Sequence, residues 1–420
     1  MIWLKMPVFI TRRTGQQNLT GGCRKLKLMS NQKIQPLEQF VKISRSSLLL
    51  GIAAAIPALA ALAVLLFPPL GQPNAKNDSK NPAGLKGAVS LTRPDPDWWE
   101  SRRLIYFDIP ARVLFYLPNG SRDDAEAIAR AVWNEFERIG RIFNPSDPQS
   151  EVSRLNAADK TAPVAISDEM HAVFCISKRL WDASSGAFDP STAPLKKLWQ
   201  NAVKTQKIPS SRDIQRILAR TGFDKVTIMD NPPAVACSAS GMEFDFGGIA
   251  KGFAVDRSRD VLRGAGIQTG MVQLGGEVAA FGSRLRRPWR IGIQHPRDMG
   301  KIWKTISSPA DIRVSTSGNY RQPLVIQGHS FYHIFSPKTG RPVSEKIAGV
   351  TTADFGDHSS ALLDGAATAI TVLGTEKGIQ LAENLSIEAL VLSINSKEQI
   401  QEQFTPNLPD KMDTKSRSRQ

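Results

Sequence analysis

Residues 245–252 read Asp245-Phe246-Gly247-Gly248-Ile249-Ala250-Lys251-Gly252. An apolar, β-like stretch closes on an acid, meets two glycines and runs into a helical pattern at Ala254, Val255, Val261 and Leu262. Glycines at a helix entrance leave backbone N–H groups uncovered, a natural seat for phosphate, and Lys251 in the first turn adds a point charge. The stretch is neither a P-loop nor G-x-G-x-x-G, so a plain strand-to-helix turn accounts for it equally. Its neighbours decide the fold class.

Outward from this turn, strand and helix signals mix without a regular βαβ rhythm. Residues 112–117 (RVLFYL) read as a short apolar strand. Residues 123–142 follow, with Ile128, Val132, Phe136 and Ile139 spaced as one helical face. Ser167, with Asp168 and Glu169 behind it, starts another helix that Gly186 closes, and a short helix covers 213–219. Strand signals recur at 271–281, 289–294, 330–335 and 349–353, and helical ones at 359–373 and 376–383. The expectation is an α+β fold.

Two further segments carry candidate chemistry. In Asp364-Gly365-Ala366-Ala367-Thr368, helical spacing puts the carboxylate and the hydroxyl one turn apart on one face, a set of hard oxygens that suits Mg²⁺. Taken alone, D-x-x-x-T is also an ordinary exposed helix. The segment 332–342 brings His333 down a strand into a Pro/Gly turn with Lys338 and Arg341, where a histidine serves structure as readily as catalysis. Gln273-Leu274-Gly275-Gly276-Glu277 and Thr316-Ser317-Gly318-Asn319-Tyr320 read as small-residue turns after strands.

The chain has 420 residues, 41% of them apolar and 22% charged, which are globular values that exclude a disordered or collagen-like chain. Three cysteines without C-x-x-C exclude a disulfide scaffold and a thiolate zinc motif, and five histidines leave little for a histidine-rich metal site. Cys175 falls on an apolar helical face and reads as a buried thiol. The net charge is +15, but residues 1–46 hold nine Lys/Arg against Glu38 alone. That arm carries +8 and leaves +7 for the other 374 residues, so no nucleic-acid partner is expected.

Residues 48–67 form an uncharged apolar run of twenty, about the length that spans a bilayer core. With the basic arm before it, the N-terminus stays in the cytoplasm and the remainder is exported. The organisation expected is a basic arm over 1–46, an anchor or signal segment over 47–70, a linker over 71–97, the working domain over 98–404 and a disordered tail over 405–420. Cleavage at the small residues Ala58–Ala63 would release the domain, whereas the apolar run continuing to Phe67 favours an anchor. Met29 offers a second start with a sufficient basic leader.

In order, Gly186-Ala187-Phe188-Asp189-Pro190, the 245–252 segment, Leu274-Gly275-Gly276-Glu277, Thr316-Ser317-Gly318-Asn319-Tyr320, His333-Ile334 with Pro337-Lys338-Thr339-Gly340, and Asp364 to Thr368 form a series. It resembles the ApbE family, the FAD:protein FMN transferases, over roughly 100–395. The resemblance implies one large T-fold-related domain of mixed helices and mainly antiparallel sheet. It implies an exported enzyme that uses Mg²⁺, takes FAD as substrate and attaches FMN to a Thr or Ser of an acceptor protein, releasing AMP. It further implies that Ala187, Phe188, Asp189, Asp245, Lys251 and Phe335 contact FAD. Asp364, Thr368 and the carbonyl of Gly248 would hold the metal, and His333, with Asp364, would serve catalysis. Alternatives of the same family are a flavin carrier of the NosX type and an FAD pyrophosphatase giving FMN and AMP.

Three positions depart from the family pattern. Phe107-Asp108-Ile109 stands where Met-Gly-Thr is usual, Ser146 where a tyrosine stacks on the flavin, and Ser336 where His-x-x-Asp-Pro has its acid.

Overall fold

The structure is a computed structural model, and it describes residues 89–105, 109–284, 287–298, 300–318, 324–343 and 346–412. The anchor or signal segment, Phe107-Asp108, Asn319-Tyr320 and residues 413–420 lie outside the described residues. Among those described, no helix is long and apolar enough to cross a membrane.

Among the described residues, nine strands form the main sheet: β1 (Leu91–Asp95), β2 (Trp98–Ile105), β3 (Ile109–Tyr116), β4 (Gly270–Leu274), β5 (Glu277–Phe281), β6 (Ile312–Gly318), β7 (Ile347–Asp354), β8 (Glu388–Ile394) and β9 (Ile400–Phe404). They lie side by side in chain order, every pair antiparallel. The sheet is therefore a meander, and the helices and cleft loops are excursions out of it. Alternation sets the two faces. Val113 and Phe115 of β3 and Val272 of β4 face a helical layer, while Leu114 and Met271 join a second core. That second core lies under the hairpin Trp289–Gln294 with Ile302–Ser308.

The longest excursion, between β3 and β4, carries α1 (Arg122–Phe143), α2 (Glu151–Ala157), α3 (Asp168–Ala183), α4 (Ala193–Thr205), α5 (Ser211–Leu218) and α6 (Ala250–Gly264). α7 (Ser360–Leu373) and α8 (Thr375–Asn384) join β7 to β8. Local chemistry explains the boundaries. Ser121 closes a capping box with Asp124 on α1, Ser167 caps α3, and α3 ends at Gly186 with φ +80°, a region that favours glycine. α6 and α7 cap each other. Asp256 of α6 accepts from Ser360 N and Ala361 N at 3.0 and 3.1 Å, and Asp364 of α7 accepts from Gly252 N at 3.0 Å. A Cβ at Gly252 would stand 2.2 Å from the Ser360 carbonyl oxygen, so the crossing requires glycine.

Several expectations need correction. Residues 271–281 are two strands around the Gly275-Gly276 turn, and Gly276 must stay bare because a Cβ would meet the Thr316 carbonyl oxygen at 2.7 Å. The strand expected over 330–335 stops at Phe331, leaving His333 in the following loop. Thr316-Ser317-Gly318 end β6 rather than turn after it. Folded chain begins before 98, since Val89 is buried and β1 pairs with β2. It also continues past 404, where Leu408 is buried and Met412 bridges Ile306. Cys175 is exposed, and Cys175 and Cys237 are both free thiols.

Candidate active site

The excursions converge on a cleft of about 1210 Å³, part of it open to solvent. Every residue nominated by the resemblance lines it: Ala187, Phe188 and Asp189 after α3, Asp245, Gly248 and Lys251 around the α6 entrance, His333 and Phe335 on the loop, and Asp364 and Thr368 on α7. Residues that the sequence reading did not nominate join them, among them Pro145, Lys196, Glu277 and Thr316.

The α6–α7 wall is built around a buried cation. Lys251 Nζ lies 3.0 Å from both Asp364 oxygens, 3.1 Å from the Gly247 carbonyl and 3.5 Å from Glu277 Oε1. Burial alone would lower the Lys251 pKa, but the Asp364 and Glu277 carboxylates hold it above its usual value. Glu277 is 1% exposed, its Oε2 has no hydrogen-bond partner among the described residues, and burial pushes its pKa up to about 8 against the pull of Lys251. The Lys251 point charge is thus engaged with Asp364 rather than bare. The entrance glycines are engaged as well. Gly247 N donates to Asp245 Oδ1 at 2.8 Å, and a Cβ on Gly248 would come 3.0 Å from Thr368 Oγ1.

Asp245 and Asp189 have structural partners besides their place in the cleft. Burial raises the Asp245 pKa, yet the neighbouring Lys196 ammonium outweighs it and the net shift is downward. Asp189 accepts from Ser191 N at 2.8 Å, Ser191 Oγ at 2.6 Å and Phe223 N at 3.2 Å, and burial still raises its pKa. Such bonds fix the turn that holds Ala187 and Phe188 in the cleft wall.

The opposite wall is the His333 loop. Trp199 of α4 stacks on Phe335 at 6.0 Å, meets Phe331 at 5.3 Å, and donates from Nε1 to the Gly340 carbonyl at 2.9 Å. The turn forms with serine in place of the family's acid: Gly340 N donates to the Ser336 carbonyl at 2.8 Å, and Ser336 N to Arg341 O at 2.9 Å. His333 Nδ1 is buried with no hydrogen-bond partner among the described residues. Burial, reinforced by Lys196 and Lys251, lowers the imidazole pKa to about 4, so the ring is neutral at pH 7. Ser146 does not line the cleft; the adjacent Pro145 does.

The residues that sequence reasoning misses have weak signals. Glu277 is visible only as the acid after two glycines. Lys196 sits in an LKKLW stretch that reads as a solvated helix face.

The donors around Asp364 fit a hard divalent ion. The Asp364 carboxylate, the Thr368 hydroxyl and the adjacent backbone carbonyls are all oxygens, and the Lys251 ammonium is the cation that now neutralises Asp364.

The model of the ApbE family matches residues 107–391. An FAD:protein FMN transferase of Vibrio cholerae serotype O1 is 30% identical over 280 residues, covering 66% of this chain and 82% of that protein. One from Haemophilus influenzae is 29% identical over 293 residues, covering 67% and 83%. Among solved structures, the flavin transferase ApbE from Vibrio cholerae superposes with a TM-score of 0.64 at 26% identity, over 75% of this chain and 99% of that one. The apo form of the Pseudomonas stutzeri flavinyl transferase ApbE gives 0.65 at 27% identity, over 77% and 97%.

Proposed function

The chain belongs to the ApbE family, and from that premise we propose that it is an FAD:protein FMN transferase working in this cleft. The observation that carries the reading is the convergence of Asp364, Thr368, Gly248 and His333, distant in sequence, on one wall-to-wall site. The substrate is FAD, and the acceptor is a Thr or Ser hydroxyl of an exported protein. The acceptor oxygen bonds to the FMN phosphorus, the bond from that phosphorus to the AMP oxygen breaks, and AMP leaves.

Asp364, Thr368 and the Gly248 carbonyl would hold Mg²⁺. When bound, the ion supplies charge neutralisation at the pyrophosphate oxygens. His333 is suited to take the acceptor's proton, because it lines the cleft and its ring is neutral. Phe335 and Phe188 give the flavin an apolar boundary, while Lys196 lends positive charge near Asp245. The Lys251 ammonium keeps the Asp364 carboxylate in place between turnovers.

The basic arm followed by the apolar run supports an anchor in the inner membrane with the cleft outside it. A reporter fused after Lys80 that is active only in the cytoplasm would remove that part. The chemistry is tested with purified chain, FAD and Mg²⁺, measuring AMP release and flavin fluorescence on candidate acceptors after denaturing electrophoresis. Both signals should vanish with EDTA and return with Mg²⁺. FAD binding without AMP release under any acceptor leaves the carrier reading; AMP release without a labelled acceptor leaves the pyrophosphatase.

A further inference from the structure

Away from the cleft, α3 and the three-stranded sheet (Val164–Ala165, Pro233–Cys237, Val226–Asp230) bring three unlike ligands together. His171 and Cys175 are one helical turn apart on α3, and Asp230 closes the strand Val226–Asp230 beside it. His171 Nε2 lies 3.0 Å from Asp230 Oδ1, and Cys175 Sγ lies 3.8 Å from both ring nitrogens, over the face of the imidazole. All three ligand atoms fall within 4.8 Å of one another. None of the three lines the cleft.

We propose that His171, Cys175 and Asp230 form a second metal site, for a borderline-soft divalent ion of the Zn²⁺ class. The three ligand atoms are already gathered on one side of α3. Usual Zn–N, Zn–O and Zn–S bond lengths in a tetrahedron put nitrogen and oxygen about 3.4 Å apart and nitrogen and sulfur about 3.6 Å apart. The observed 3.0 Å between nitrogen and oxygen is within a few tenths of an ångström of its edge, and the thiol has to turn from the ring face toward Nε2 to complete the other. Two features add to the distances. The imidazole is oriented by the carboxylate, its side chain only 19% exposed, so little ordering remains to be done. The thiol and Asp230 are open to solvent, so an ion can reach them and keep water as its fourth ligand.

The donor set chooses the metal. A thiolate with an imidazole and one carboxylate favours Zn²⁺, Co²⁺ or Ni²⁺ over Mg²⁺, which takes oxygen. Binding is balanced by one proton. Burial and the Asp230 charge raise the Cys175 pKa, so the resting group is the thiol, and its proton passes to solvent as the S–metal bond forms. The imidazole presents Nε2 to the ion with its own proton on Nδ1. An ion here ties α3, the helix that ends in the Gly186 turn of the cleft, to the strand beside it.

Co²⁺ is the probe, added to the whole chain with a phosphine reductant and excess Mg²⁺. We expect one equivalent to bind with a sulfur-to-cobalt charge-transfer band in the near ultraviolet. Cys175→Ser should abolish that band, and His171→Ala and Asp230→Asn should each weaken Co²⁺ binding at least tenfold. Zn²⁺ should raise the unfolding midpoint of the wild type and not that of Cys175→Ser. Cys175 and Asp230 are at the surface, so the metal-free midpoints of Cys175→Ser and Asp230→Asn should agree with that of the wild type. Absence of the band, its survival in Cys175→Ser, or His171→Ala binding Co²⁺ like wild type would each overturn the site.

Discussion

On one side of the cleft, α6 and α7 hold each other through exchanged caps, Asp256 on the α7 amides and Asp364 on Gly252, with Lys251 clamped between Asp364 and Glu277. On the other, the His333 loop hangs on the rings of Trp199, Phe331 and Phe335, and the imidazole Nδ1 bonds to none of the described residues. The first wall fixes charge with directional bonds in a low-dielectric frame, where a lost partner is expensive. The second holds a neutral imidazole by ring packing. The wall proposed to hold the metal is therefore preorganised by directional bonds, while the wall proposed to carry the base is held by ring packing.

The largest effect should come from removing the cation at the centre of the first wall. Lys251→Met leaves the buried Asp364 carboxylate without its cation, and uncompensating a buried ion pair costs about 3–5 kcal/mol. Urea unfolding should show a fall of that order. A loss under about 1 kcal/mol would mean the wall is held by its caps rather than by charge.

Next in size is Asp364→Asn. The amide keeps the shape and loses the charge, so AMP release should fall about 10²–10³-fold, the usual cost of one electrostatic contact made in the transition state. FAD affinity, followed by flavin fluorescence quenching, should fall much less. Equal losses in binding and release would make Asp364 a binding residue only.

These two walls also differ in how far the sequence discloses them. The turn at 245–252 and the pair Asp364 and Thr368 are legible because short-range spacing dictates their geometry: a tight turn needs glycine, and positions four apart share a helix face. The meander is harder to read, since 153 residues separate β3 from its neighbour β4 and no local pattern announces a pairing across that distance. Lys196 and Glu277 escape notice for the same reason; each gains its meaning from a partner more than twenty residues away. Cys175 is misread because its helix is apolar on more than one flank, and α3 turns Val173 and Phe174 inward instead.

The second wall is tested by His333→Ala. As the base for the acceptor hydroxyl, its loss should reduce FMN transfer about 10²-fold while FAD still binds, within the usual range for a general base. The pH profile separates this role from a structural one. The ring must be neutral to accept a proton, and its pKa is lowered to about 4, so transfer should hold from pH 7 down through 5. It should fall as the pH drops through about 4, and the variant should lack that limb. An acid limb near the ordinary imidazole value of about 6.5 would show that the loop opens to water in the working enzyme.

The smallest effects compare two glycines of one helix. Gly252, at the α6–α7 crossing, has no room for a Cβ, since the atom it would meet is a backbone oxygen of Ser360 at 2.2 Å. Gly252→Ala must push the helices apart and strain the Asp364 bond to its own amide, an overpacking cost of about 1–3 kcal/mol. Gly264, the last residue of α6, has nothing within 4 Å of the place a methyl group would take and no positive φ. Gly264→Ala should instead stabilise by about 0.5 kcal/mol, by relieving the entropy a helical glycine loses on folding. Chemical unfolding of both variants reads the difference directly. If AMP release also drops in Gly252→Ala and not in Gly264→Ala, the helix crossing sets the position of Asp364. Should Gly252→Ala fold and react like wild type, the exchanged caps tolerate displacement and the contrast between the two walls narrows to their charges.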